Sequence, residues 1–218
     1  LTGGAGTLDF TSTTANTENT VKEGATEKVL AFKGEADGSD IAVTNVKVVL
    51  QNDDYASTSE KLTDYVDTVS VWMGSTKVGS ADASDFSKDS GSPDTYTRSI
   101  ALSNAVVKDG VKATFYVGVT AKDSIDSDDL ATADWNVMAD TVRYTDATGI
   151  VLSESLGDDS NFGFEDSSTD DDLSIVSSSA NPVASTLQVD ENNNSDQFLV
   201  GAFKLDVDDQ SGDVDVTS

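Results

Sequence analysis

Five acid-rich runs punctuate the sequence: EADGSD (35–40), DSIDSDD (123–129), STDDD (168–172), DENNNSD (190–196) and DVDDQSGD (206–213). Carboxylates interleaved with amides and hydroxyls on flexible loops are the hard oxygen donors that calcium takes. The best placed of them lie at turns or near a junction between repeated segments: Asp37, Asp40, Asp190, Asp206, Asp208 and Asp213. None of the runs has the spacing of an EF-hand loop, which needs a glycine after three alternating Asp/Asn positions and a terminal Glu. The competing reading is a solvated acidic surface, the commoner fate of any one cluster in a chain so rich in Asp.

Other chemistry is sparse. The chain has no His and no Cys. A Ser-His-Asp triad, a thiolate nucleophile, a His-ligated zinc and a disulfide framework are therefore all excluded. A pair of carboxylates could serve a glycosidase, but acids are so common here that a pair carries little information. Trp72, Trp135, Tyr65, Tyr96, Tyr116 and Tyr144 could make a sugar-stacking platform, or could be core and sheet-face packing. Asn193-Asn194-Ser195 fits the N-glycosylation acceptor pattern. The expectation is a protein that is not an enzyme.

The charge balance narrows the partners. Forty acids against thirteen bases give a formal net charge of −27 in 218 residues. Such a surface repels nucleic acid and anionic membranes. It suits a chain that binds calcium, works in salt, or stays soluble when crowded. Self-repulsion destabilises the compact state unless cations screen or bind it. No stretch is long and apolar enough for a membrane span. The chain starts at Leu1 rather than Met, which reads as a processed chain or fragment whose export signal or anchor lies outside it.

These residues must be positioned by strands, because the recurring apolar period is two. GTLDF (6–10) reads as an edge strand. KVLAFKGEA (28–36) alternates, with Leu30, Phe32 and Ala36 on one face and Val29, Lys33 and Glu35 on the other. IAVTNVKVVL (41–50) changes parity between Val43 and Val46, which predicts a β-bulge near Thr44–Asn45 or a strand that changes sheets. Residues 65–80 form a hairpin about Gly74-Ser75. Residues 96–103, 112–121, 135–145 and 150–154 supply further strands, the last closing the unit. Seven to nine short strands with turns between them predict an all-β, antiparallel sandwich over 1–155. The acidic, Ser-rich 156–184 reads as a linker or long loop, with a possible strand at LSIV (173–176).

A second segment repeats the first. Ala31-Phe32-Lys33 aligns with Ala202-Phe203-Lys204, which sets Val29 on Val200, Gly34 on Leu205 and Ala36 on Val207. With two extra residues in the second turn, Ile41 meets Val214 and Val43 meets Val216. Face and turn agree, and a slip of one residue would destroy that agreement. STLQV (185–189) matches GTLDF ahead of the copy. Residues 185–218 thus read as the opening of a second module, or as strands donated to another subunit.

Three runs carry a resemblance to a family: VKEGATEKVLAFKGEADGSDIAVTNV (21–46), VDTVSVWMGSTKVG (66–79) and KATFYVGVTAKD (112–123). They resemble the tandem Ig-like β-sandwich modules of bacterial surface-layer and other large cell-surface proteins. The likeness covers about residues 20–145 and again 197–218 and departs from the pattern in the acidic stretches 51–64 and 81–95. It implies an Ig-like sandwich and an exported, extracellular component of a surface layer or cell-surface lattice. Its partners would be copies of itself, with neither nucleic acid nor direct membrane insertion involved. Calcium would rigidify the junctions and offset the repulsion. The alternatives are a subunit of an extracellular filament assembled by strand donation, and an adhesin or carbohydrate-binding module.

Overall fold

In a computed structural model, the described residues are 1–52, 61–89, 95–130, 134–167, 173–183 and 199–207. They fall into two compact units, Leu1–Asp166 and Ser167–Ser218.

The first unit is a β-sandwich. Its strands are β1 (Gly3–Thr13), β2 (Thr20–Lys22), β3 (Thr26–Ser39), β4 (Ile41–Asn52), β5 (Val66–Met73), β6 (Thr76–Asp82), β7 (Ser87–Lys88), β8 (Thr95–Ala101), β9 (Val106–Val107), β10 (Lys112–Ala121), β11 (Asp134–Thr145) and β12 (Val151–Glu165). One sheet has the order β1-β3-β10-β5-β6; the other runs β2-β12-β11-β4-β8-β7, with β9 also paired to β4. All pairings are antiparallel except that of β2 with β12.

Alternation decides which side chains meet between the sheets. Leu8, Phe32, Val69, Val71, Phe115, Val117 and Val119 from the first sheet face Val46, Val48, Leu50, Trp135, Val137 and Phe162 from the second, all essentially inaccessible to water. Phe32 stacks on Phe115 with centroids 5.4 Å apart, and Tyr65 meets Trp135 edge-on at 5.5 Å. Burial of so many large apolar side chains is the main force holding the sheets together.

Bulges explain the breaks in alternation. On β4, Asn45 pairs with Arg143 and Val43 with Tyr144, so Thr44 is the extra residue and the expected bulge is there. The reading of Val29 as outward is corrected. Val117 pairs with Leu30 but Gly118 with Lys28, so Val29 is itself bulged and is fully buried beside Leu30. The hairpin turn at Gly74-Ser75 is found, with Gly74 at a φ of 61°.

The expected boundary at 155 moves to 166. β12 runs on through 165 because Phe162 and Phe164 alternate into the core, 2% and 4% exposed. The outward Asp159 and Glu165, with small and polar residues around them, give this strand the composition of a linker.

β1 and β12 fix the direction of the module. Gly3 lies beside Ser39 and Thr13 beside Ala31, while Val151 lies beside Thr145 and Gly163 beside Asp134. Following these registers, the chain enters the sandwich at the end holding the β3–β4 turn. It leaves β12 at the opposite end.

In the second unit, β13 (Leu173–Ser177) pairs antiparallel with β14 (Phe203–Val207). The strand at LSIV is therefore present, within 156–184. β14 falls in the expected 185–218 segment.

Candidate functional site

Asp40 and Asp146 occupy the end of the first unit where the chain enters. Asp40 is 5% exposed and accepts hydrogen bonds from the Thr2 backbone N–H (3.0 Å), the Asp109 backbone N–H (3.3 Å) and Lys108 Nζ (2.9 Å). The Lys108 hydrogen bond is the main reason its carboxyl titrates below the ordinary aspartate range. Asp146, 2% exposed, turns back on its own loop. It accepts from the Thr148 hydroxyl (2.7 Å), the Thr148 N–H (2.9 Å), the Ile150 N–H (3.0 Å) and, across the sandwich, the Gly6 N–H (3.4 Å). Its carboxyl is likewise lowered, first by the Thr148 hydroxyl. Both carboxylates are thus spent on tying residues 2–6 to the body of the sandwich.

That outcome separates the six expected calcium ligands. Asp40 is buried and already satisfied by protein donors. Asp37 is exposed on β3 opposite Thr7. Asp206 stands on β14 opposite Ser174. Asp190, Asp208 and Asp213 lie outside the described residues. Among the described residues no group of three or more carboxylates gathers as a metal centre would. Asn193-Asn194-Ser195 also lies outside them.

The aromatic expectation divides as well. Trp135, Tyr65, Tyr96 and Tyr144 are core side chains. Trp72 and Tyr116 sit instead on the outward face of the first sheet, with the parity opposite to Val69, Val71, Phe115 and Val117. The register sets Ala31, Tyr116, Trp72 and Lys77 in one row across four strands, with Lys28, Gly118, Ser70 and Ser80 in the next. The Trp72 indole N–H donates to Ser70 Oγ (2.9 Å), and that hydroxyl donates to the Gly118 carbonyl (3.3 Å). A Cβ on Gly118 would come within 2.9 Å of Ser70 Oγ and 3.1 Å of Trp72 Nε1. Glycine is therefore needed under the indole. Lys28 Nζ is 4.2 Å from the Tyr116 ring centroid and 5.5 Å from that of Trp72, and Lys77 Nζ is 6.0 Å from Trp72.

A third feature is the seam between β1 and β12. Asp158 follows Gly157, which takes a φ of 68° within a bulge of β12, and it pairs with the core residue Ala139. It therefore points inward. Ser12 Oγ donates to its Oδ1. Its Oδ2 is buried and accepts no hydrogen bond among the described residues. Beside it is a cleft of about 190 Å³ lined in part by Ser12, Thr13, Thr14 and Thr17. One carboxylate beside hydroxyls suits an ordered water as well as a cation.

No known family model matches the chain, and no curated protein matches it. Among solved structures it is similar in outline to AvmM, described as catalysing macrocyclization in alchivemycin A biosynthesis (11% identity, 73% of this chain and 88% of that one, TM-score 0.36). It is also similar to a cohesin module of a Clostridium perfringens family 33 glycoside hydrolase (11% identity, 76% and 99%, TM-score 0.30). A chain of a cohesin–dockerin complex overlaps it as well (12% identity, 73% and 100%, TM-score 0.32). Overlaps of this quality assign neither family nor activity.

Proposed function

We propose that this chain is a structural segment of a bacterial surface layer or similar cell-surface lattice, built from tandem Ig-like β-sandwich modules that assemble through contacts between copies. The observation that carries this reading is the recurrence of one strand pair in one register. In the first unit Leu8 lies beside Ala36, Phe10 beside Gly34 and Ser12 beside Phe32. In the second, Leu173 lies beside Val207, Ile175 beside Leu205 and Ser177 beside Phe203. The aligned Ala-Phe-Lys strands thus take equivalent partners, LDFTS (8–12) in one case and LSIVS (173–177) in the other. STLQV (185–189), expected to match GTLDF, lies outside the described residues; among the described residues the strand beside β14 is β13, with Leu173 in the place of Leu8.

Two further observations support it. A module that the chain enters at one end and leaves at the other can be strung in series, so that load runs along its strands. The net charge of −27 keeps such a string soluble until cations screen it. Calcium is the proposed cation. Asp37, Asp190, Asp206, Asp208 and Asp213 remain its candidate ligands, whereas Asp40 is committed to protein donors. No catalytic role is assigned to any residue.

Electron microscopy of the purified protein with and without calcium tests the reading. Sheets that form with calcium and disperse on chelation are expected. Particles that stay single in both conditions would end it. A melting temperature equal in calcium and in sodium at matched ionic strength would remove calcium from the account.

The filament alternative keeps one specific support. Ile175, Phe203 and Leu205 of the second unit are 72%, 67% and 39% exposed. A strand pair with such a face suits donation to a neighbour. Linear polymers abolished by deleting 185–218 would favour it over the lattice.

A further inference from the structure

Lys28, Lys33 and Lys77 stand apart from most other bases of the molecule. Lys47, Arg98, Lys108, Lys112 and Lys122 each pair with a carboxylate, at 2.8 Å for Lys47 with Asp140 and 3.0 Å for Lys112 with Glu35. Lys28, Lys33 and Lys77 have no carboxylate partner among the described residues, in a chain where acids outnumber bases by 40 to 13. All three project from the outward face of the first sheet. Lys28 and Lys77 flank Trp72, and Lys33 pairs with Thr114 on the neighbouring strand. The indole between them is held flat by Ser70 over Gly118. Lys28 Nζ also donates to the Gly74 carbonyl (3.1 Å), which together with the rings fixes its position, and ammonium groups held there without carboxylate partners can take the carboxylates of another molecule.

We propose that this face binds an acid-rich loop of a second copy of the chain. The inference rests on the lattice reading above and names the contact by which it would work. Charge complementarity selects the occupant: the three ammonium groups meet an excess of carboxylates on every other copy. The contact is heterologous, a sheet face against a loop, and where its rotation does not close a ring such a contact propagates from copy to copy. Its salt dependence follows. At about 10 mM salt the Debye length is about 30 Å, and repulsion between two copies at −27 keeps them apart. Near 0.15 M that repulsion is screened beyond about 8 Å while close lysine–carboxylate contacts persist, and near 1 M those weaken too. Association therefore peaks at intermediate salt.

Sedimentation velocity across that salt range tests the proposal, using the full chain, the double variant Lys28→Glu/Lys77→Glu and the single variant Lys33→Glu. Lys33 has no ring contact, so its reversal leaves the Trp72 platform in place if the double variant loses stability. The wild type should associate most strongly near 0.15 M, and each variant should bind at least about tenfold more weakly. In a mixture of light and isotopically heavy protein, carbodiimide should join Lys28, Lys33 or Lys77 to carboxylates of the other isotope. If the wild type assembles and the variants assemble equally well, the contact is wrong while the lattice reading stands. If the wild type stays single at every salt and calcium concentration, both fall. If it stays single yet binds an acidic polysaccharide through these lysines, the face serves a glycan and the proposal is overturned.

Discussion

Leu8, Phe32 and Ala36 of the first unit are completely closed over by the opposing sheet, whereas in the second unit the residues in the positions of Phe32, Gly34 and Phe10 are open to water. These are Phe203, Leu205 and Ile175. The two strand pairs share their register, the apolar character of their inward face and their Ser–Phe couple. The pair forms in both places because cross-strand matching of apolar and β-branched residues is local. Burial is not local; it needs the strands that follow. The difference lies in what covers the pair: in the first unit the remaining strands of the sandwich supply the opposing face.

The two pairs differ in where they carry their bulk. Phe10 beside Gly34 becomes Ile175 beside Leu205, so bulk moves from one strand to its partner.

The widest separation between the two copies should come from Phe32→Ala against Phe203→Ala. Phe32 is fully buried and stacked on Phe115, so its truncation should cost the first unit about 3–5 kcal/mol. Phe203 is 67% exposed, and its truncation should leave the unfolding of the first unit unchanged. Denaturant titration followed by tryptophan emission reads the first unit alone, because Trp72 and Trp135 both lie there. Equal losses for the two variants would break the comparison.

A smaller effect should come from transplanting one couple into the other. A Cβ at Gly34 would lie 3.2 Å from Leu8 Cδ1 and 3.5 Å from Phe10 Cε1, so Gly34→Leu alone should destabilise by about 1–3 kcal/mol. Adding Phe10→Ile should recover part of that loss, with a coupling of about 1 kcal/mol in a double-mutant cycle. Strict additivity would mean that the two couples are not equivalent.

Asp40 and Asp213 sharpen the comparison by charge. With Ile41 aligned to Val214, Asp40 aligns to Asp213. Asp40→Asn should lower the melting temperature of the first unit by less than Phe32→Ala does, and Asp213→Asn should leave it unaltered. The sign with pH follows from the lowered titration of Asp40 and Asp146. Their contribution is complete above the ordinary aspartate value of 3.8 and is lost as pH falls through their lower folded values. Below that window the wild type and Asp40→Asn should melt together. A gap that persists there would mean that the Lys108 hydrogen bond is not what Asp40 supplies.

Much of the fold was legible because it is carried by alternation. The bulge at Thr44, the hairpin at Gly74 and the outward parity of Tyr116 all follow from a period of two and its interruptions. The misreadings share a physical cause. Residues 156–165 looked like linker because their outward positions are acidic, small or polar, and only the inward Phe162 and Phe164 mark a strand. Val29 was misplaced because a bulge moves a side chain from one face to the other without any signal in its own identity. At the site, composition pointed to carboxylates as ligands, but it cannot distinguish a metal ligand from a buried acceptor such as Asp40. That depends on Lys108 and Thr2, which lie far away in sequence. The lysines around Trp72 were invisible for the same reason: they come from different strands, and only the register sets them side by side.

The smallest expected effect is the most searching. Deleting 167–218 should leave the melting temperature of the first unit as it was. The apolar core of Leu1–Asp166 draws on both its own sheets, and its inward residues are already inaccessible to water. The deletion should nonetheless remove a signal. A dye that fluoresces on exposed apolar surface should bind the full chain through the open face of Ile175, Phe203 and Leu205 and bind the shortened chain much less. A lowered melting temperature would show that the bare strand pair supports the first unit, and the contrast between a covered and an uncovered strand pair would then fail. An unchanged melt with a lost dye signal would show that the second pair carries an open apolar face and adds nothing to the stability of the first unit.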